Sequence, residues 1–182
     1  MMNTSIDIVG IRLIKEREIL SEHCIKTPKD AVEILANELK YLDREMMMSI
    51  NLNNKNEIIN AHIVSVGTIN ASLIDPKNIF KAALLSNATS IVLIHNHPSG
   101  DCNPSREDIA ITDALIKAGE ILEMKILDHI VIGSDYAYSI VGQSKFEYEK
   151  TMNISDRIKQ AQQAKVINEH RQKICVKNEI IK

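Results

Sequence analysis

Ser90–Ile94 reads SIVLI, a short apolar run rich in β-branched residues that ends on His95-Asn96-His97. A strand apolar on both alternating faces has no side to give to water, so it belongs inside a sheet with layers packed on both faces. The flanking segments fit such an arrangement. Thr27 and Pro28 supply a hydroxyl N-cap and a first-turn proline, and Ala31, Ile34, Leu35, Leu39 and Leu42 recur at helical spacing. They predict a helix ending near Leu42 to Asp43. Met46 to Leu52 and Glu57 to Val66 read as two strands of a hairpin around the turn residues 53–56. Asp75-Pro76 repeats the cap-plus-proline device ahead of a helix through Ile79 to Leu85. Ser105 opens a third helix carrying Ile109, Leu115 and Ile116, whose first packing face ends at Gly119. Leu122 to Ile132 and Ala137 to Val141 read as closing strands, and shorter extended pieces are expected at Ile6 to Leu13 and Thr68 to Leu73. This alternation predicts a single α/β layered domain over residues 1–142.

Of the 182 residues, 45% are hydrophobic but only 3% aromatic, and Trp is absent, so the core must be aliphatic, with Met. From residue 143 the composition turns polar. Residues 151–182 hold seven Lys or Arg against three Asp or Glu, which predicts a basic helical or disordered tail over 143–182. The net charge of −2 argues against a nucleic-acid surface spread over the whole chain. Cys24, Cys102 and Cys175 are far apart and form no CxxC pair, so no disulfide framework is expected, and the setting reads as reducing and cytoplasmic. No basic stretch precedes an apolar run at the N-terminus, and no run of eighteen apolar residues occurs. Neither a signal peptide nor a membrane span is expected.

The chemistry concentrates in His95-Asn-His97-Pro-Ser-Gly-Asp-Cys-Asn-Pro-Ser105-Arg-Glu-Asp108. Two histidines two apart at a strand end point to the same side. The Pro/Gly loop after them is long enough to return Asp108, in the first turn of the next helix, to the same place. Two imidazoles and one carboxylate leave a tetrahedral zinc one open position, and a water held there has its pKa lowered to about 7. The bland reading stands beside this. Paired histidines near a loop are most often surface polar residues, and Ser105-x-x-Asp108 is also a helix capping box worth about 1 kcal/mol. Capping and catalysis are compatible.

The complete string, HxH followed after seven residues by S-x-x-D, resembles the signature of the JAMM (MPN) metalloprotease domain. Its finer form, His-Asn-His-Pro-Ser-Gly-Asp and then Pro-Ser-x-x-Asp, is similar to the RadC-like branch. Asp43-Arg44-Glu45, Gly67-Thr68 with Ser72, Ile91 to Ile94 and Asp128 to Gly133 also match, so the likeness covers roughly residues 6–142. The resemblance implies a mixed, curved sheet flanked by helices, of the cytidine-deaminase-like kind, around one zinc ion per chain. It makes His95, His97 and Asp108 the metal ligands and Ser105 the serine that stabilises the oxyanion. It also requires an upstream glutamate as general base on the zinc-bound water. Glu45, between the first helix and the first long strand, is the choice, ahead of Glu38 inside a helix and Glu57 at a strand start. The implied activity is hydrolysis of a peptide or isopeptide bond, with a peptide or protein as substrate.

The chain departs from the wider family in three ways. Asn96 stands where many peptidase members have Ser or Thr, so deubiquitinase-like specificity is not implied. Lys77-Asn78 stands where RadC-like proteins often have Arg-Glu. The chain is too short for the N-terminal helix-hairpin-helix region of longer members, and reads as the catalytic module alone. The alternative is a DNA-repair or mobile-element accessory protein that binds metal without peptidase activity. The basic tail mildly favours it, and the overall charge opposes it. An HNH nuclease is rejected, because such enzymes take their His, Asn and His from dispersed positions. Cys102 reads as an ordinary loop residue rather than a competing ligand. Asp128-His129 reads either as support for a metal ligand or as a satisfied structural pair.

Overall fold

The computed structural model describes residues 10–19, 24–67 and 75–148. Among these residues three helices, α1 (Pro28–Leu39), α2 (Pro76–Leu85) and α3 (Arg106–Ile121), accompany six strands. The strands are β1 (Met46–Leu52), β2 (Ile58–Val66), β3 (Ser90–Asn96), β4 (Lys125–Ile132), β5 (Tyr136–Ser139) and β6 (Ser144–Glu147). They form one mixed sheet in the order β2-β1-β3-β4-β5-β6. Only β3 and β4 run parallel, joined through α3, and every other neighbouring pair is antiparallel. The domain is therefore α/β and layered, as expected.

The run Ser90–Ile94 is the sheet's interior, and β3 is buried along its whole length. Its alternation assigns each residue to one of two cores. Val92 and Ile94 face α1 together with Met48, Ile50, Leu52, Ile130 and Ile132. Ile91 and Leu93 face the opposite core with Met47 of β1 and with Ile79, Phe80, Ala83 and Leu115 from α2 and α3. Each fully buried Leu or Ile here stabilises the fold by about 1.5–3 kcal/mol. The same alternation continues past Leu93, so the next residue on the α3 side is His95.

Both capping boxes form: Thr27 with Asp30 opens α1, and Ser105 with Asp108 opens α3. Several boundaries differ from the sequence reading. Helix α1 stops at Leu39 rather than Leu42 to Asp43. Leu42 is apolar because it packs on the α1-side core from the connecting loop. Helix α3 runs through Gly119 to Ile121. A Cβ at Gly119 would lie 2.3 Å from the Met124 carbonyl oxygen, so glycine there serves close chain approach. Glu123 takes a positive φ of 52° at the turn, and β4 begins only at Lys125.

The expected tail overlaps the sheet. Ser144–Glu147 pair with β5 as the edge strand β6, and Tyr148 is buried with its hydroxyl donating to Gly133 O at 2.7 Å. Only Phe146 of this strand is even partly buried, so no alternation marked it in sequence. Residues 149–182, the extended piece 68–73 and the start of the segment at 6–13 lie outside the described residues. The described part of that last segment, from residue 10, forms no strand, and Ile11 and Leu13 are exposed. Cys24 and Cys102 carry free thiols. Among the described residues no helix is long and apolar enough to cross a membrane.

Candidate metal centre at the end of the central strand

The carboxyl end of β3 delivers His95 and His97 to the side of the sheet covered by α3. The loop that follows is closed by its own hydrogen bonds: Gly100 N–H donates to His97 O at 2.9 Å and Asn103 N–H to Asp101 Oδ1 at 3.0 Å. Gly133 admits this loop against β4, because a Cβ there would sit 2.4 Å from Gly100 O and 2.9 Å from Cys102 N. The chain then enters α3, whose first turn carries Asp108. The carboxylate is completely buried, as is His95, while His97 retains slight exposure.

The three side chains meet. His95 Nε2 lies 3.1 Å from His97 Nε2 and 3.3 Å from Asp108 Oδ1, and His97 Nε2 lies 3.5 Å from Asp108 Oδ2. Oδ2 accepts from Ser105 N–H at 2.7 Å and from the Ser105 hydroxyl at 2.6 Å. Oδ1 is buried and has no hydrogen-bond partner.

The surrounding hydrogen bonds assign the tautomers. The Thr112 hydroxyl donates its only proton to Asp108 O at 2.6 Å, so at 2.6 Å from His129 Nδ1 it must accept. His129 therefore carries its proton on Nδ1 and presents a bare Nε2 to His95 Nδ1 at 2.9 Å. His95 in turn must donate from Nδ1, which leaves its Nε2 lone pair pointing into the cluster. His97 Nδ1 donates to Asp101 O at 2.8 Å, so the neutral ring also has a bare Nε2. Two imidazole lone pairs and an unpartnered carboxylate oxygen converge in a dry place. That arrangement repels itself unless a cation lies between them.

A metal ion fits this gap. Nitrogen and oxygen ligands about 2.0–2.1 Å from a tetrahedral ion lie roughly 3.3 Å apart, close to the separations found here. Among the described residues His95, His97 and Asp108 form a group whose ligand atoms all lie within 4.8 Å of one another, so the site could hold a metal ion. The electrostatics agree. Hydrogen bonding to Asp108 raises the His97 pKa against the effect of burial, the response of a site that attracts positive charge. Burial, and then the neighbouring His129, hold His95 well below the ordinary histidine value, so it stays neutral and available as a ligand. Burial brings His129 down to about 4. Burial alone would raise Asp108, but His97, His95 and Ser105 together keep it ionised, below the ordinary carboxylate range.

Glu45 lies just before β1. Met47 pairs with His95 across the sheet, and Glu45, two residues earlier, falls on the same face. It is half-buried, and its charge contributes to raising the His97 pKa, which places its carboxylate within electrostatic range of the cluster. The other two glutamates are engaged elsewhere: Glu38 pairs with Arg17 at 2.6 Å and Glu57 accepts from Asn53 at 2.7 Å. Ser105 caps α3 and gives its hydroxyl proton to Asp108. Cys102 is buried in the loop, its thiol pKa raised by burial, and lies outside the ligand group.

The Asp128-His129 pair divides into two roles. Asp128 accepts from Ser139 Oγ at 2.6 Å and from the backbone of His129 and Val141, tying β4 to the end of β5. His129 backs the candidate metal site by its bond to His95, and Thr112, which carried no motif signal, completes its chain of hydrogen bonds. Replacing His129 with Phe keeps the ring volume but removes the acceptor that fixes the His95 tautomer. Metal affinity is expected to fall about 10–100-fold, measured by competition with a chelating dye, with the fold retained. Unchanged affinity would show that the relay does not orient His95.

Among the described residues, a mixed six-stranded sheet with a buried His-His-Asp cluster at the mouth of its parallel β3–β4 pair defines an α/β domain of the JAB type with a candidate metal site. The chain belongs to the RadC-like JAB domain family, whose model matches residues 25–145. It is 42% identical over 125 residues to a UPF0758 protein of Caldanaerobacter subterraneus subsp. tengcongensis, covering 69% of this chain and 54% of that relative. A UPF0758 protein of Moorella thermoacetica is 46% identical over 114 residues, covering 63% of this chain and 50% of the relative. One from Methanosarcina mazei is 41% identical over 109 residues, covering 60% and 48%. The chain spans about half the length of the curated relatives it matches.

Proposed function

We propose that the chain is a zinc-dependent hydrolase of peptide or isopeptide bonds, with His95, His97 and Asp108 as ligands and Glu45 as general base. The observation that carries this reading is the convergence of two bare Nε2 atoms and the unpartnered Asp108 Oδ1 in one buried place. Two histidines and one carboxylate are the donor set of catalytic zinc sites that keep a position open. Bound there, zinc supplies Lewis acidity and brings the pKa of a water to about 7.

The chain's own groups do the rest. Ser105 N–H and its hydroxyl hold Asp108 by Oδ2, leaving Oδ1 to face the histidines. Glu45 takes a proton from the attacking water and delivers it to the leaving amine nitrogen, which cannot depart as an anion. The Ser105 hydroxyl turns from Asp108 to the developing oxyanion, and Asp108 Oδ2 keeps the Ser105 N–H when it does. The partner is thus a peptide or protein substrate.

Purified protein is expected to carry about one zinc per chain and to cleave members of a quenched-fluorescent peptide library. A chelator should stop cleavage and added zinc restore it. Two histidines and a carboxylate also suit non-haem iron(II). Iron in place of zinc, or cleavage indifferent to the chelator, would overturn the proposal.

A further inference from the structure

We infer that Asn96 is a positioning residue that fixes the backbone carrying Glu45. The inference rests on the reading of Glu45 as the base, and it starts from a mismatch in the sheet. The β1–β3 pairing runs from Leu52 opposite Ser90 to Met47 opposite His95 and then stops. One residue further, the Asn96 side chain replaces the missing ladder. Met46 N–H donates to Asn96 Oδ1 at 2.8 Å, and Asn96 Nδ2 donates to Arg44 O at 3.1 Å. One amide thus grips the residues immediately before and after Glu45.

The third bond comes from the other side, where Gly67 N–H donates to Glu45 O at 2.9 Å. Glu45 is held between β3 and the end of β2 by its own carbonyl and both neighbours, while its side chain shares the face of the histidines. Asn96 is 1% exposed, so these bonds form without competition from water.

The chemistry demands asparagine. The grip needs an acceptor and a donor on one planar group at the reach of a single methylene. A Ser or Thr hydroxyl is too short to span both partners, and Gln adds a methylene that a buried strand cannot absorb without strain. Because Asn96 sits between His95 and His97, the strand that supplies two ligands on one face also sets the base from the other. Ligands and base are therefore registered to each other through a single residue.

The test combines three readouts on zinc-loaded protein: zinc content, backbone dynamics by NMR, and turnover of a cleaved library peptide. Asn96→Ala and the strand-compatible Asn96→Thr are compared with wild type and in the Glu45→Gln background. Both variants should keep about one zinc per chain. The Met46 amide should lose exchange protection, and order parameters at residues 44–46 should fall from about 0.85 to below about 0.6. In the otherwise wild-type chain kcat should drop about 10- to 100-fold with little change in KM. In the Glu45→Gln background neither Asn96 variant should cost anything further, since a residue acting only through Glu45 has nothing left to position.

An equal loss in both backgrounds, or a Met46 amide still protected in both variants, would overturn the inference. Were wild type inactive on every peptide, the proposed hydrolase would fall. Exchange and order parameters would still decide whether Asn96 holds the Glu45 segment.

Discussion

Asp108→Asn is expected to abolish metal binding while leaving the fold intact. The carboxylate does two separable things. Its Oδ2 accepts from Ser105 N–H and the Ser105 hydroxyl, closing the capping box of α3, and its Oδ1 faces the histidines without a partner. An asparagine can keep the first role with its carbonyl oxygen. Its amide nitrogen then stands where Oδ1 stood, 3.3 Å from the lone pair of His95 Nε2, and donates to it. The variant fills the cation's place with its own N–H groups. Metal-free, it should be at least as stable as wild type, because a buried charge and facing lone pairs are relieved together. Zinc at about a thousand times its dissociation constant stabilises a binding protein by about 4 kcal/mol, roughly 10 °C in Tm for a domain of this size. Wild type should show that rise in a thermal scan and Asp108→Asn none. Asp108→Ala should lose zinc as well, but also the cap, at about 1 kcal/mol. A wild-type zinc response in Asp108→Asn would remove Asp108 from the ligand set.

That one side chain serves as cap and candidate ligand explains why the sequence was informative here. The S-x-x-D spacing signals a helix start by itself, and a helix start places its third residue at a known point in the first turn. The apolar run Ser90–Ile94 fixed the central strand and, by alternation, the face of His95. Both cores follow from such periodicities. Chemistry acting across elements was less legible. Thr112 looks like any polar residue of α3, and its use appears only when β4 brings His129 beside it. Asn96 was visible as a departure between the histidines, but its partners are backbone atoms of residues 44 and 46, fifty positions away in the chain. A local motif such as the capping box encodes bonds to backbone groups only a few residues away, not to ones this distant. Strand β6 escaped for a different reason. As a short edge strand with one half-buried residue it has almost no hydrophobic pattern, and beyond its backbone ladder it adds little more than Lys145 lying over the Tyr136 ring.

Glu45→Gln should keep zinc and lose hydrolysis. Glutamine matches the shape of glutamate and leaves the backbone bonds from Asn96 and Gly67 in place, so the segment should stay where it is. What changes is the capacity to accept a proton at pH 7. A positioned general base contributes about 10²- to 10⁴-fold to a rate, and kcat should fall by a factor in that range with KM little altered. Metal content is the control that gives the result its meaning. Glu45 lies outside the group formed by His95, His97 and Asp108, so zinc per chain should equal that of wild type. Removing the negative charge also withdraws one of the influences that raise the His97 pKa. The lost charge also attracted the zinc dication, and more strongly than it attracted a proton, so zinc loading should move to slightly higher pH than in wild type. Full activity in Glu45→Gln would move the base to another residue without disturbing the metal site. Loss of zinc together with activity would instead make Glu45 a part of the site's electrostatic frame.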